Sequence, residues 1–288
     1  MKHFSVRNTA LIPLVLCLIA AAPLTSVAQD LGPPKIMVID REFLKPGKSG
    51  TLHEKSESAF IRGSVAAKST SYYFGMDSLT GSPRSLFFFP YTSFAAWEMD
   101  MKKSRKDLVY QAAMDHASNV DGDLLSAYEQ SAFMLRPDLS LNLKPLAGAR
   151  YMEITQYIAK PGHTAELEEA AKLYVAGFKK AALSYNWATY QLMYGNGTGD
   201  AFVVISLMKS LDEADKEQGL FEAFGKSMGE SGMKKLNDLA ASSVASQSTN
   251  LFELNPKISY PTPDIINGEP DFWKAKPVAT IKKADAAK

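Results

Sequence analysis

An internal repeat is the feature that most restricts what this chain can fold into. Lys45-Pro46-Gly47 returns 115 residues later as Lys160-Pro161-Gly162. The segment from Phe133 to Ser140 returns 119 residues later as Phe252 to Ser259, with its aromatic, leucine, proline and serine positions kept. Solenoid modules repeat every 20–50 residues, so a repeat of this length is a duplicated domain. The sequence therefore predicts two similar units in tandem.

The second copy gives the order of the elements most clearly. A strand over 150–160 ends at Pro161-Gly162, and an acidic helix follows it. Two apolar runs around a glycine-rich tip predict a β-hairpin, a capping box at Ser210 predicts a second helix, and a last strand follows. The first copy repeats this order from Ile36 onward. We predict an α+β fold of two ferredoxin-like βαββαβ units, each with a four-stranded antiparallel sheet and both helices on one face.

Apolar residues occupy consecutive positions in the predicted hairpin strands. Phe87, Phe88 and Phe89 form one such run, and residues 202–205 form another. Successive side chains on a strand point to opposite faces, so each run makes both faces of its sheet apolar. Leaving one of these side chains in water costs about 1.5–3 kcal/mol. We therefore expect the two sheets to face each other within one chain, as an intramolecular pseudo-dimeric α/β barrel.

The N-terminal residues have the pattern of a signal peptide. Lys2 and Arg7 form a basic start, an apolar run over 10–22 follows, and Ser26-Val27-Ala28 supplies small residues for cleavage. The apolar run is shorter than the roughly 20 residues that span a bilayer. We predict an exported protein, periplasmic or secreted, with no stable membrane insertion after cleavage.

The repeat and the composition set the predicted boundaries. They are 1–28 for the signal peptide, 35–140 for the first unit, 141–149 for the linker, 150–259 for the second unit, and 260–288 for a Pro-rich strap and disordered tail. We expect the strap to pack through Phe272 and Trp273. No cysteine follows Cys17, so the two cores must hold without disulfides.

The charge of the mature chain is nearly balanced. Without Lys2 and Arg7 it has 30 basic and 31 acidic residues. A nucleic-acid partner requires a basic excess, so we predict no such partner.

One junction carries a family resemblance. Residues 153–163, with the sequence EITQYIAKPGH before an acidic helix, resemble the opening of dimeric α/β-barrel proteins, and residues 41–48 are a looser copy. This superfamily includes the NIPSNAP proteins and the antibiotic-biosynthesis-type monooxygenases. The resemblance covers nearly all of residues 35–259. It implies that this chain carries in tandem the two units that other members pair as a dimer.

The resemblance does not extend to haem chemistry. The haem-degrading members rely on an Asn, a Trp and a His at particular strand and helix positions. Here Asn186 and Trp187 are adjacent at the start of a strand, and no histidine lies near the second helix of that copy. We therefore predict no cofactor.

The histidines do not form a recognisable metal motif. His53, His116 and His163 lie in different segments, and no two of them have the three- or four-residue spacing that places ligands on one helix face. We predict no metal site. His53 stands beside Glu54 on an early helix turn, which is typical of a solvent-facing position.

Glu153 and His163 are the catalytic candidates. Glu153 shares a strand face with Tyr157, opposite Ile154 and Ile158. If the isoleucines pack on the helices, Glu153 and Tyr157 point into the space between the sheets. The alternative is a rim position in contact with water. His163 follows the Pro-Gly turn at a helix start, where a local polar role competes with catalysis.

Aromatic residues are the ligand-binding candidates: Tyr157, Trp187, Tyr190 and Tyr72. They could line a pocket for a small apolar or aromatic molecule, with core packing as the alternative. Arg84 and Arg150 could bind an acidic group of such a ligand.

The leading function hypothesis is an exported tandem α/β-barrel protein that binds a small apolar or aromatic molecule between its sheets. One alternative is a cofactor-independent oxygenase or isomerase that uses Glu153 or His163 to move protons. Another is a non-catalytic interaction protein of the envelope, which a tightly filled interior would favour. The sequence leaves open whether the protein is an enzyme.

Overall fold

A computed structural model describes residues 32–146, 148–196 and 199–274. The predicted signal peptide and residues 275–288 of the predicted tail lie outside the described residues. The strands of the described part are β1 Ile36–Leu44, β2 Phe74–Ser78, β3 Arg84–Tyr91, β4 Leu125–Leu135, β5 Tyr151–Ala159, β6 Ala188–Gly195, β7 Ala201–Met208 and β8 Val244–Leu254.

In the described residues, helical segments follow β1, β3, β5 and β7 as the repeat predicts, and two short helices follow the second unit. The helices are α1 Thr51–Ala66, α2 Phe94–Lys106, α3 Leu108–Gly122, α4 Thr164–Lys180, α5 Asp212–Asp215, α6 Glu217–Ser243, α7 Pro263–Gly268 and α8 Pro270–Trp273. Among the residues described, no helix has the length and apolar character to cross a bilayer.

The strands close into one antiparallel barrel, in the order β1-β3-β2-β8-β5-β7-β6-β4. The first unit contributes β4-β1-β3-β2, and the second contributes the equivalent β8-β5-β7-β6. The units join edge to edge where Met76 of β2 pairs with Leu254 of β8 and where Phe133 of β4 pairs with Leu192 of β6. The predicted α+β fold, an intramolecular pseudo-dimeric barrel of two βαββαβ units, is confirmed.

Apolar side chains from both units fill the centre of the barrel. Met76, Phe133, Tyr190 and Phe252 are at most 2% exposed and belong to one continuous cluster. This cluster is the main core because it removes the inner faces of both sheets from water at once. The centre of the barrel is therefore packed side chain against side chain.

A C-terminal segment, Pro263–Trp273, covers one end of the barrel; we call it the strap. Trp273 is buried against Phe74, with the ring centroids 5.8 Å apart. Glu269 accepts a hydrogen bond of 2.6 Å from the Arg150 guanidinium, which also lies 3.8 Å from the Phe272 ring. We call this end, where β1, β2 and β5 begin, the strap end.

The second helical stretch of the first unit is divided at a place that the sequence analysis did not predict. Asp107 separates α2 from α3, and its carboxylate accepts a hydrogen bond of 2.9 Å from the backbone N–H of Tyr110. A capped helix start satisfies the free N–H groups of the first turn. The stretch then ends at Gly122, the last residue of α3.

The faces of β5 are the reverse of those considered for Glu153. Met152 and Ile154 point into the barrel, where Ile154 lies opposite Ile205 of β7. Glu153 and Tyr157 therefore point outward to α4 and α6, so the condition under which they would point between the sheets is not met. Alternation separates the two faces of a strand, but it cannot say which face is inner when both neighbours are apolar.

Candidate metal centre

A buried polar cluster lies between the sheet of the first unit and its helices. Glu42 is on the outward face of β1, His53 and Glu57 are one turn apart on α1, and Asp121 is in the last turn of α3. Their exposed fractions are 8%, 1%, 3% and 2%. Charged side chains are almost never this buried without a partner. We call these four residues the acidic centre.

The donor atoms of the acidic centre converge on one point. His53 Nε2 lies 3.0 Å from Glu42 Oε2, 3.7 Å from Glu57 Oε1 and 3.7 Å from Asp121 Oδ1. One donor atom from each residue lies within 4.8 Å of all the others. Metal bonds of 2.0–2.2 Å in a tetrahedral site place the donors about 3.4 Å apart. The three separations from His53 Nε2 therefore differ from this spacing by a few tenths of an ångström, and the carboxyl oxygens lie within 4.8 Å of one another.

A hydrogen-bond chain fixes the orientation of the His53 ring. His53 Nδ1 lies 3.3 Å from Ser85 Oγ, and the Ser85 hydroxyl donates to Asp77 Oδ1 at 2.5 Å. Because Ser85 gives its only proton to Asp77, it accepts from Nδ1–H. The Nε2 atom then faces three carboxyl groups. A metal-ligating imidazole normally donates its other N–H in this way.

Two carboxyl oxygens of the acidic centre have no hydrogen-bond partner among the described residues: Glu57 Oε1 and Asp121 Oδ1. Burial is the main cause that raises the pKa of Glu42, of Asp121 and, most strongly, of Glu57. Burial alone would lower the pKa of His53, but the hydrogen bond with Glu42 and the nearby carboxylates raise it. The acidic centre therefore attracts positive charge, which either protons or a metal cation can supply.

Ser85, His53 and Glu42 also stand in the order of a nucleophile, a base and an orienting acid. Ser85 is fully buried, and its proton is directed to Asp77 instead of His53. A nucleophilic serine needs the base to accept its proton and a substrate to reach its oxygen. The chain therefore orients His53 and does not activate Ser85.

The second unit shows that the fold does not need charged residues at the position equivalent to the acidic centre. Glu42 pairs with Ser85 across β1 and β3, and the equivalent pair across β5 and β7 is Tyr157 with Phe202. Tyr157 packs against an apolar cluster that includes Phe202. One copy thus packs an apolar layer where the other buries an acidic centre, so stability alone does not account for the charges.

The predicted catalytic candidates lie far from the acidic centre in the chain and do not join it. Glu153 faces α6, where burial and the charge of Glu217 raise its pKa. His163 is partly exposed at the start of α4, with Nδ1 3.3 Å from Glu166 Oε1. Its surroundings agree with the local polar role.

The predicted aromatic ligand residues are distributed over three separate layers. Tyr190 lies in the packed centre of the barrel, while Trp187 lies in an aromatic cluster under α4 and α6. Tyr72 stacks on Tyr260 outside the barrel, at a centroid distance of 5.3 Å. Together with Tyr157, these residues do not line one pocket.

The sequence analysis missed the acidic centre, and its view of His53 as solvent-facing is wrong. The signal that could have found it is the four-residue spacing of His53 and Glu57, which puts both on one face of α1. A search for pairs of histidines passes over this mixed pair. Glu42 and Asp121 have no sequence signal, because only the closure of β1 and α3 around α1 brings them there.

Comparison with known proteins gives structural likenesses only. No protein-family model and no curated protein matches the chain. An anthrone oxidase-like protein is 13% identical, with a TM-score of 0.48 over 79% of this chain and 93% of that one. A variant of the chlorite dismutase from Candidatus Nitrospira defluvii is 8% identical, with a TM-score of 0.48 over 86% and 99%. The strand order supplies the assignment. The chain has the dimeric α/β-barrel fold.

Proposed function

We propose that this protein binds a divalent metal ion in the acidic centre of its first unit. The observation that carries the proposal is the convergence of four buried donor atoms, two of them carboxyl oxygens that find no hydrogen-bond partner in the described part of the chain. Buried carboxyl groups with too few partners destabilise the folded state, and a bound cation offsets that penalty. The apolar layer at the same level of the second unit supports a specialised role for the first.

The donor set favours a first-row transition metal. Three carboxyl groups and one imidazole suit Mn²⁺, Fe²⁺ or Zn²⁺. Ca²⁺ takes six to eight oxygen ligands, and Mg²⁺ keeps several waters, so both fit a closed centre of four side chains poorly. We therefore choose Zn²⁺ and Mn²⁺ as the ions to test.

The role of the metal follows from which elements it would join. The four donors come from β1, α1 and α3, and Asp121 is 79 residues from Glu42 in the chain. A metal bound here would hold both helices to the sheet, and its binding energy would become folding energy. The closed surroundings favour a metal that stabilises the protein over one that meets a substrate.

The test compares metal binding by the wild type and by three conservative variants. After treatment with EDTA, one equivalent of Zn²⁺ or Mn²⁺ should bind per chain in isothermal titration calorimetry. Glu57→Gln, Asp121→Asn and His53→Gln should each weaken binding at least tenfold. X-ray absorption of the Zn²⁺ form should show one nitrogen and at least three oxygen neighbours.

His163→Gln is the matched control, because His163 also stands beside a glutamate but is partly exposed. This variant should bind metal as the wild type does. Wild-type protein that takes up neither ion, or centre variants that bind as tightly as the wild type, would contradict the proposal.

A cofactor-independent isomerase or oxygenase is the second candidate. It is favoured by the hydrogen-bonded chain from Asp77 through Ser85 and His53 to Glu42, along which a proton could move. The two candidates differ in their response to metal. A proton-transfer enzyme should keep its turnover in EDTA and lose it in Glu42→Gln.

Export remains part of the proposal. The support is the basic start, the apolar run and the small residues before position 29. Mass spectrometry of the periplasmic or secreted fraction should find a mature chain that begins near Gln29. A chain that retains Met1 and stays in the cytoplasm would contradict export.

A further inference from the structure

Polar side chains line the end of the barrel opposite the strap end, inside the barrel. Strand register places them on the inner faces of β1, β3, β4, β5 and β8. They are Arg41, Arg84, Glu129, Ser131, Gln156 and Asn250. We call this region the polar end. The packed apolar centre lies between it and the strap end.

The two arginines of the polar end lack close carboxylate partners. Within the described ranges, no carboxyl oxygen lies within 4.0 Å of either guanidinium. Arg41 Nη1 donates to Ser131 Oγ at 3.0 Å, and Arg84 Nη1 donates to the carbonyl of Ser82 at 3.1 Å. Each guanidinium has five N–H donors, so most of them have no protein acceptor in these contacts.

Aromatic rings lie against both guanidiniums on the side of the barrel centre. Arg41 lies 5.6 Å from the centroid of Phe133, and Arg84 lies 5.0 Å from that of Phe252. Such ring contacts attract a cation but do not neutralise its charge. Burial lowers the pKa of both arginines, and the charge of Arg84 contributes to the shift at Arg41. The two positive charges therefore act on one another.

The charge of the polar end is not balanced by its own carboxylate. Glu129 lies opposite Arg41 on β4 and is the acidic group that faces it across the ladder. One carboxylate against two guanidiniums leaves a net charge of +1. Arg150 offers a contrast, since Glu269 of the strap already pairs with it. A bound monoanion would balance the charge at the polar end.

We propose that the polar end binds a small organic carboxylate, with its oxygens between Arg41 and Arg84. A planar carboxylate matches the parallel N–H groups of a guanidinium, so its two oxygens can accept from both arginines. Asn250 and Gln156 supply further donors on the facing wall. This site lies on the other face of β1 from the acidic centre and does not depend on metal binding.

The test uses benzoate as the carboxylate and benzamide as its neutral counterpart. Benzoate should raise the melting temperature of the full chain in a dose-dependent way, and benzamide should not. Arg41→Met and Arg84→Met should each weaken benzoate binding at least tenfold in calorimetry. Arg62→Met is the matched control, because Arg62 lies on the outer surface of α1 and should leave benzoate binding unchanged.

A second measurement keeps the proposal testable if an arginine variant does not fold. In ¹⁵N-labelled wild-type protein, benzoate should shift the Nε–Hε signals of two arginines and leave the others in place. The proposal is overturned if benzoate has no effect on the wild type, if both single variants bind it as tightly as the wild type, or if inorganic phosphate binds and benzoate does not.

Discussion

A single carboxyl group shows how the acidic centre affects stability. Glu57 is 3% exposed, and burial together with Glu42 and Asp121 raises its pKa well above the ordinary value. A raised carboxyl pKa costs stability above the pKa of the unfolded chain. In EDTA at pH 7, Glu57→Gln should therefore increase the free energy of unfolding by about 1 kcal/mol in urea denaturation.

The exposed Glu98 is the control for this substitution. Glu98→Gln removes a surface carboxylate that pairs with Lys102, and it should change stability by less than about 0.5 kcal/mol. A Glu57→Gln variant that is clearly less stable than the wild type in EDTA would mean that the carboxylate is already well paired without metal.

At the scale of elements, an ion-pair network joins the end of β4 to α4. Arg136 donates to Glu168 at 2.6 Å and to Asp138 at 2.8 Å, and it lowers the pKa of both carboxyl groups. A lowered carboxyl pKa adds stability above the unfolded pKa of about 4, and that stability is lost as the pH falls through the folded pKa. In urea denaturation, Arg136→Met should therefore lower the free energy of unfolding by about 1 kcal/mol at pH 7. This loss should become smaller towards pH 3.

Lys102→Met is the control, because it removes a solvent-exposed ion pair with Glu98 on α2. It should change the free energy of unfolding little at either pH. If Arg136→Met costs the same at pH 7 and pH 3, the stem of Arg136 stabilises by packing and its charge does not matter.

Element order could be predicted from local signals, whereas element faces could not. Alternation of apolar and polar residues accounts for β1 over Ile36–Leu44. Capping chemistry accounts for the start of α2 at Ser93, whose hydroxyl accepts a hydrogen bond from the backbone N–H of Ala96. The division at Asp107 lies inside a continuous helical pattern, so periodicity alone did not predict it. The outward direction of Glu153 depends on the partner strand, and no local pattern in β5 contains it.

For the whole molecule, the repeat was sufficient to predict the barrel, because two copies with apolar sheet faces can bury them against each other. The acidic centre could not be predicted in the same way. Its residues occur in the first copy alone, so the repeat that identifies the fold hides the place where the copies differ. Tyr157 and Phe202 of the second copy mark that difference only after the strands are in register.

The strap closes the core of the whole barrel from outside the repeat, and its contribution can be measured. Trp273 is 9% exposed and packs on the central cluster through Phe74. Trp273→Ala should lower the free energy of unfolding by about 3 kcal/mol, because truncation of a buried tryptophan leaves a cavity. Hydrogen exchange in Pro263–Trp273 should become faster, while Zn²⁺ binding by the distant acidic centre should not change.

Trp97→Ala is the control, since Trp97 lies on α2, which has no fully buried residue. This variant should lower the free energy of unfolding by less than Trp273→Ala does. If Trp273→Ala is as stable as the wild type and its strap exchanges at the same rate, then the barrel core is complete without the strap.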